Sequence, residues 1–292
     1  KVGPGVSKVV GPGGRSIIAG CQLSCSFARA MLHELVGKLT WVISRSPCYQ
    51  HVDDMAQVLK ARGPRVLHDA AVKVATTVFQ QAEKDGMEIS EKSSINPDTA
   101  TNRGIAKELC DKGMVVKVVD HGKDVGVSVA GGRKRKTNVT RERIGRASVR
   151  AKRTRLLGYE CRKATKLAAT GVGPQQSYGH EVMGVCEGVL YKMRKNYKDC
   201  TSMAGTRACM TTTLAWTWGS GKDPGVQIRI GQIAAWVDLW RGLPKDERVR
   251  VARTWTLLLP DLVGKKGRGW AGVRGPIGAT IVTVKGLGWD PR

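Results

Sequence analysis

The chain has 292 residues, 41% of them hydrophobic, which is enough apolar material for one large or two small packed domains and excludes a disordered tail. Its 49 Lys and Arg against 24 Asp and Glu leave a formal charge of +25, far more than solubility requires, so polyanions and above all nucleic acids are the expected partners. No stretch approaches the roughly 20 apolar residues that cross a bilayer, and the cysteines form no CxxC pair; a chain without a membrane span, in a reduced intracellular setting of nucleus or cytoplasm, is expected.

Residues 1–16, rich in Gly and Val, read as a linker or as the place where a longer upstream segment was cut. From 17 to 132 apolar periodicity alternates between helical and extended, as in an α+β domain. Phe27, Met31, Leu35 and Leu39 recur every four positions with Ala28, Leu32 and Val36 beside them, which predicts a helix from about Ser24 to Leu39. In CYQHVDDMAQVL, short β-compatible runs flank Asp53 and Asp54, the pattern of a hairpin with acids at its turn. Leu67, Ala71, Val74, Val78 and Ala82 predict a second helix ending at Gly86, and MEIS after it reads as a strand.

Residues 133–200 begin with dense positive charge: Arg133, Lys134, Arg135 and Lys136, then Arg141, Arg143, Arg146, Arg150, Lys152, Arg153 and Arg155. Ile144, Ala147, Ala151 and Leu156 still trace a helical face, so the segment is a basic helix with one packed side. Contact with nucleic-acid phosphates, a nuclear-import signal and a solvated helix all fit that pattern.

Seven of the eight tryptophans follow Ala168, and residues 201–263 read as Trp-rich and helical. Val226, Ile230, Ile233, Val237 and Trp240 predict an amphipathic helix whose apolar residues pack a core; stacking of exposed Trp on unpaired bases is the alternative. Residues 264–292, glycine-rich and basic, read as a loose tail. His180, Cys186, Cys200 and Cys209 lack the closely spaced ligand pair with which structural zinc sites usually begin.

Adjacent carboxylates at a turn repel each other, and divalent cations resolve the repulsion. In two-metal phosphoryl transfer such acids hold ions roughly 3.5–4 Å apart beside the attacking and leaving oxygens.

Five segments in order extend this reading: IIAGCQLSCSFARAMLHEL, HVDD, GMEISEKS, GKDVGVSV and SYGHE. Together they resemble motifs of reverse transcriptases, the RNA-directed DNA polymerases of retrotransposons lacking long terminal repeats. The match spans Ile17 to Val129, with a looser continuation to Val182. The resemblance implies an α+β fold: a partial polymerase palm, an antiparallel sheet with helices packed on one face, followed by a mainly helical basic thumb-like and Trp-rich region.

It further implies that Asp53 is the main ligand of a two-ion Mg2+ site and Asp54 a secondary one, with Lys92 near the leaving pyrophosphate. Ala19, Gly20, Ser24 and His51 would lie by template and nucleotide, and Arg133, Lys134, Arg135, Lys136, Arg146, Arg150, Lys152 and Arg153 along the nucleic-acid backbone. An RNA template, a DNA primer and deoxynucleoside triphosphates are the implied partners. The chain departs from the family in having His51 where an aromatic is usual, and Ala19 where Gln usually precedes the glycine. No Asp or Glu precedes Glu34, so the first palm motif and the fingers are expected to be missing and the chain alone to extend no primer. A non-catalytic nucleic-acid-binding protein or a decayed retroelement copy is the alternative.

Overall fold

The computed structural model describes residues 23–42, 46–51, 54–96, 102–114, 116–119, 121–124, 126–129 and 135–292. They are mostly helical, with small two-stranded sheets, and the chain divides into two compact units, Lys1–Val119 and Asp120–Arg292.

The first unit opens with α1 (Ser24–Val42), the helix expected from residue 24 onward. Its buried stripe is Ala28, Leu32, Leu35 and Leu39, whereas Phe27 and Met31 are 54% and 50% exposed. The expected face is therefore turned: α1 carries apolar residues on more than one side, and the leucine stripe is the one that meets Cys48, Met55, Val74 and Val78.

Strands β1 (Cys48–His51) and β2 (Asp54–Gln57) pair antiparallel with His51 opposite Asp54, as the alternating pattern around the acids predicts. Gln50 Nε2 donates to the Ala28 carbonyl at 3.3 Å, tying the ribbon to α1.

Helix α2 (Pro64–Lys84) starts at a proline, whose missing N–H has no helical partner there anyway. It has two apolar sides, Val74 and Val78 toward α1, and Ala71, Val72, Ala75 and Phe79 toward α3 (Asn102–Asp111). Residues 87–90 are not a strand. The Met87 N–H closes the end of α2 on the Ala82 carbonyl at 2.8 Å, and its side chain packs into the α1–α2 core. The next strand is β3 (Ser94–Ile95), paired in parallel with β4 (Lys117–Val118).

The expected palm sheet is thus replaced, among the described residues, by three separate two-stranded sheets, one of them parallel. Strands this short bury too little surface to hold a larger sheet; helix packing carries the cores instead.

The second unit begins with β5 (Gly122–Asp124) and β6 (Val127–Val129), an antiparallel ribbon around Gly126, whose φ of 79° favours glycine. The sequence had grouped this ribbon with residues 17–132, yet it packs on α4 (Asn138–Glu160): Ser128 Oγ accepts from the Val139 N–H at 3.2 Å in the first turn. The ribbon serves as that helix's cap.

Helices α5 (Gly173–Ser177), α7 (Glu187–Asp199) and α8 (Met210–Trp218) close around the inner side of α4, with α6 (His180–Met183) between α5 and α7. Ala147, Ala151, Ala168, Val172, Tyr197, Cys200 and Leu214 form one core and Ile144, Val185, Leu190, Met193 and Ile228 another. The polar groups inside are satisfied in a chain: Asn196 Nδ2 donates to Gln176 Oε1 at 3.0 Å, and Gln176 Nε2 donates to the Met193 carbonyl at 3.1 Å.

Helix α9 (Pro224–Gly242) is capped by Asp223, whose side chain accepts from the Gly225 N–H. The face it buries carries Ile228 and Gln232, while Val226, Ile230 and Val237, three of the residues expected in the core, are exposed. Residues 264–292 are no loose tail. They form α11 (Pro276–Gly286), buried from Gly278 to Thr283 and packed with α10 (Lys245–Val263) around Leu262, Val273 and Ile281. The glycines and basic residues before Pro276 hide an apolar run long enough to make a core helix. Trp255 Nε1 donates to the Pro291 carbonyl at 2.8 Å.

Candidate nucleic-acid interface

At about 100° per residue, the buried positions Ile144, Ala147, Ala151 and Thr154 put one stripe of α4 inward. The same rotation sends Arg141, Arg146, Arg150, Lys152 and Arg153 outward, and all five are exposed. Leu156, expected on the inner stripe, is 61% exposed and lies among them with Val149, Leu157 and Tyr159. The outer face of α4 is therefore cationic with apolar and aromatic side chains interleaved, a composition suited to phosphates and to the sugar or base surfaces between them.

The cations differ in how firmly they are held. Arg143 stacks over the Tyr178 ring at 4.2 Å and donates to the Tyr178 carbonyl at 3.1 Å. Arg150, exposed, donates from Nη1 to the Gly171 carbonyl at 3.1 Å. Arg146 pairs with Glu142 one turn back. Among the described residues, Arg141, Lys152 and Arg153 meet no hydrogen-bond or ion-pair partner, so binding a phosphate breaks nothing already made.

Arg135, expected on the nucleic-acid backbone, is engaged inside the fold. Its Nη2 donates to the Met183 and Gly184 carbonyls at 2.7 and 2.8 Å, its Nη1 to the Trp270 carbonyl at 3.2 Å, and its guanidinium lies 5.1 Å from the Trp270 ring centroid. Burial holds its pKa below the ordinary value. Its role is to join the loop at 183–184 to 270, because a half-buried guanidinium needs carbonyl partners. Lys136 beside it is half-buried, and Arg133 and Lys134 lie outside the described residues.

Of the expected metal and nucleotide residues, the structure brings His51 and Asp54 together, directly opposite each other where β1 ends and β2 begins, and both exposed. Asp53, between them in sequence, lies outside the described residues, as do Ala19, Gly20 and the side chain of Ser24, the first residue of α1. Lys92 is exposed in the turn before β3, its N–H on Ser90 Oγ at 3.3 Å, rather than at the end of a strand. Asp54 offers a hard, solvent-facing carboxylate of the kind Mg2+ accepts.

No three His, Cys, Asp or Glu side chains group as metal ligands among the described residues. Cys200 is buried and its thiol pushed up to about 12, while Cys209 is exposed at the start of α8, its pKa lowered by hydrogen bonds from Thr212 and Thr211. Two side chains escaped the sequence reading: Tyr159, on the outer face of α4, and Trp216, 84% exposed on α8. An aromatic interrupting a run of basic residues was the available signal for Tyr159; Trp216 gave none, because Trp is more often core.

No family model, no curated protein and no solved structure matches the chain. No described helix is long and apolar enough to cross a membrane.

Proposed function

We propose that the chain holds an RNA·DNA template-primer duplex by its phosphates, as part of an RNA-directed DNA polymerase of the retrotransposon kind that its motifs resemble. The observation that carries this reading is the outer face of α4, where five exposed cations stand on one side of a helix fixed from behind by two cores. A rigid row of cations reads the spacing of phosphates and not the identity of bases, which is what a polymerase that moves along its template requires.

Asp53 and Asp54 are the groups that would hold Mg2+, and a bound ion there would stabilise charge developing on the transferred phosphoryl group. Lys92 would neutralise charge on the departing pyrophosphate.

A second reading, a non-catalytic nucleic-acid-binding protein or decayed retroelement copy, is favoured by one observation. Among the described residues the ribbon that carries Asp54 is a two-stranded sheet by itself, without a wider sheet to fix that carboxylate. Both readings keep the α4 interface. The test common to them is filter binding of hybrid duplexes of unrelated sequence. Affinities within a few-fold of one another support the phosphate grip, and a strong preference for one sequence overturns it.

A further inference from the structure

Val226, Ile230, Ile233, Val237 and Trp240 follow one another along α9 at alternating steps of four and three. Their spacing marks a face built to be covered, yet α9 turns Ile228 and Gln232 inward instead. At about 100° per residue the five stand on the opposite side of the helix, within a band roughly 80° wide. Ile230 is 62% exposed, Val226 and Val237 are exposed too, and Ile233 and Trp240 are half-buried. Single exposed apolar side chains are ordinary on a surface, but an unbroken line of them along one helix marks a place where something docks.

We propose that this stripe is a docking seam for an acidic amphipathic helix of a partner protein. Its period and width select a helix: steps of four and three are the repeat with which two helices meet side by side, and so narrow a band suits that contact. A lipid surface asks for a broad apolar face backed by a polar one open to water, whereas the far side of α9 is packed into the fold through Ile228 and Gln232. Charge selects the partner. Arg229 and Arg241 border the stripe, one on each side. Arg229 is paired with Glu187, while Arg241 is exposed and its guanidinium meets no hydrogen-bond or ion-pair partner among the described residues. Glu or Asp beside the partner's apolar line would pair with Arg241 and complement the positive edge at Arg229. A second copy of this chain would bring the same arginines and another charge of +25, so like charge opposes self-pairing. The Trp240 ring lies 6.4 Å from that of Trp236, which lies 5.4 Å from that of Trp255 on α10. The bulkiest side chain of the seam is thus held in place before a partner arrives, which lowers the cost of binding. The seam lies on a helix that the phosphate grip of α4 does not use, so loss of either leaves the other standing.

The test is calorimetric titration of the purified chain with three synthetic peptides. One carries Leu at alternating steps of four and three with Glu at the flanking positions, the second has Lys in place of Glu, and the third is the Glu peptide in shuffled order. The expected result is saturable binding of the ordered Glu peptide, about tenfold or more tighter than either of the others. Ile230→Glu is expected to remove that margin, and Arg241→Glu to shift the preference toward the Lys peptide. Both variants should melt as cooperatively as the parent chain, because both side chains are exposed. A shuffled peptide that binds as tightly as the ordered one reduces the effect to bulk charge and overturns the seam, as does an affinity unchanged in folded Ile230→Glu. Dimerisation of the chain alone, or binding to phosphatidylserine vesicles, if abolished by Ile230→Glu, assigns the stripe to a second copy or to lipid and overturns the acidic partner.

Discussion

Arg194 on α7 grips Asp223 in a forked ion pair, Nε donating to Oδ1 at 2.9 Å and Nη2 to Oδ2 at 2.7 Å, while the same carboxylate accepts from the Gly225 N–H at 2.7 Å. Nη2 also reaches Thr211 Oγ1 at 2.8 Å, so one guanidinium ties together α7, α8 and the cap of α9. Geometry of this kind makes a pair worth far more than an exposed ion pair, because the buried Asp223 carboxylate cannot turn to water when Arg194 is removed.

Arg194→Leu is therefore expected to lower the unfolding free energy by about 2–4 kcal/mol in urea denaturation, since it leaves a buried carboxylate with only its cap bond. Arg194→Leu combined with Asp223→Asn should recover part of the loss. A double variant no better than the single one would show that the two side chains act separately.

Gly173 gives a second test. A Cβ added there would collide with the Tyr197 hydroxyl oxygen. Gly173→Ala is expected to destabilise by about 1–3 kcal/mol through overpacking. In a Tyr197→Phe background the hydroxyl is gone, and the same change should cost less, with the ring carbon Cζ at 3.2 Å and the Ala168 carbonyl oxygen at 3.3 Å still close to the added Cβ. Thermal melts of the four proteins decide it.

Thiol reactivity should follow environment. Cys209, exposed and with its pKa lowered from 9.0 by the donors of Thr212 and Thr211, is expected to alkylate first as pH rises from neutral. Cys200, raised by burial to about 12, should stay unlabelled until the fold opens. The sign of the linkage follows: between 9.0 and about 12 the unfolded chain has lost the Cys200 proton while the folded one keeps it, so stability falls as pH rises through that window. Tyr197, also raised by burial, acts in the same direction. Mass mapping of alkylated peptides at pH 7.5, 8.5 and 9.5 checks the order; early labelling of Cys200 would contradict it.

The acid-bearing ribbon predicts a weak, carboxylate-dependent affinity for Mg2+. Asp53→Asn and Asp54→Asn should each weaken binding in a calorimetric titration, the first more than the second. Equal affinity in the parent chain and Asp53→Asn would remove the metal role.

How far the fold could be read from sequence depended on whether periodicity alone settles the outcome. The helices α1, α2 and α4 follow from apolar residues three and four apart, and the β1–β2 ribbon from short alternating runs around Asp53 and Asp54. The buried side was harder to read. On α1 and α9 apolar residues cover more than one side, so the neighbours select Leu32 and Leu35 over Phe27 and Met31, and Ile228 over Ile230. Helix α11 was hidden by the glycines ahead of it, and Arg135 by its place in a basic run, although its donors turn inward to carbonyls. Gln232, polar inside an apolar pattern, lies on the side of α9 that is buried.

The grip of α4 on a hybrid duplex is measured most directly by the slope of log affinity against log salt, for the parent chain and for a Lys152→Ala, Arg153→Ala double variant. Both side chains are exposed and unengaged among the described residues, so the fold should be unaffected. The expected result is weaker binding on every sequence and a slope shallower by about 2. Unchanged affinity and slope in a folded double variant would contradict the interface.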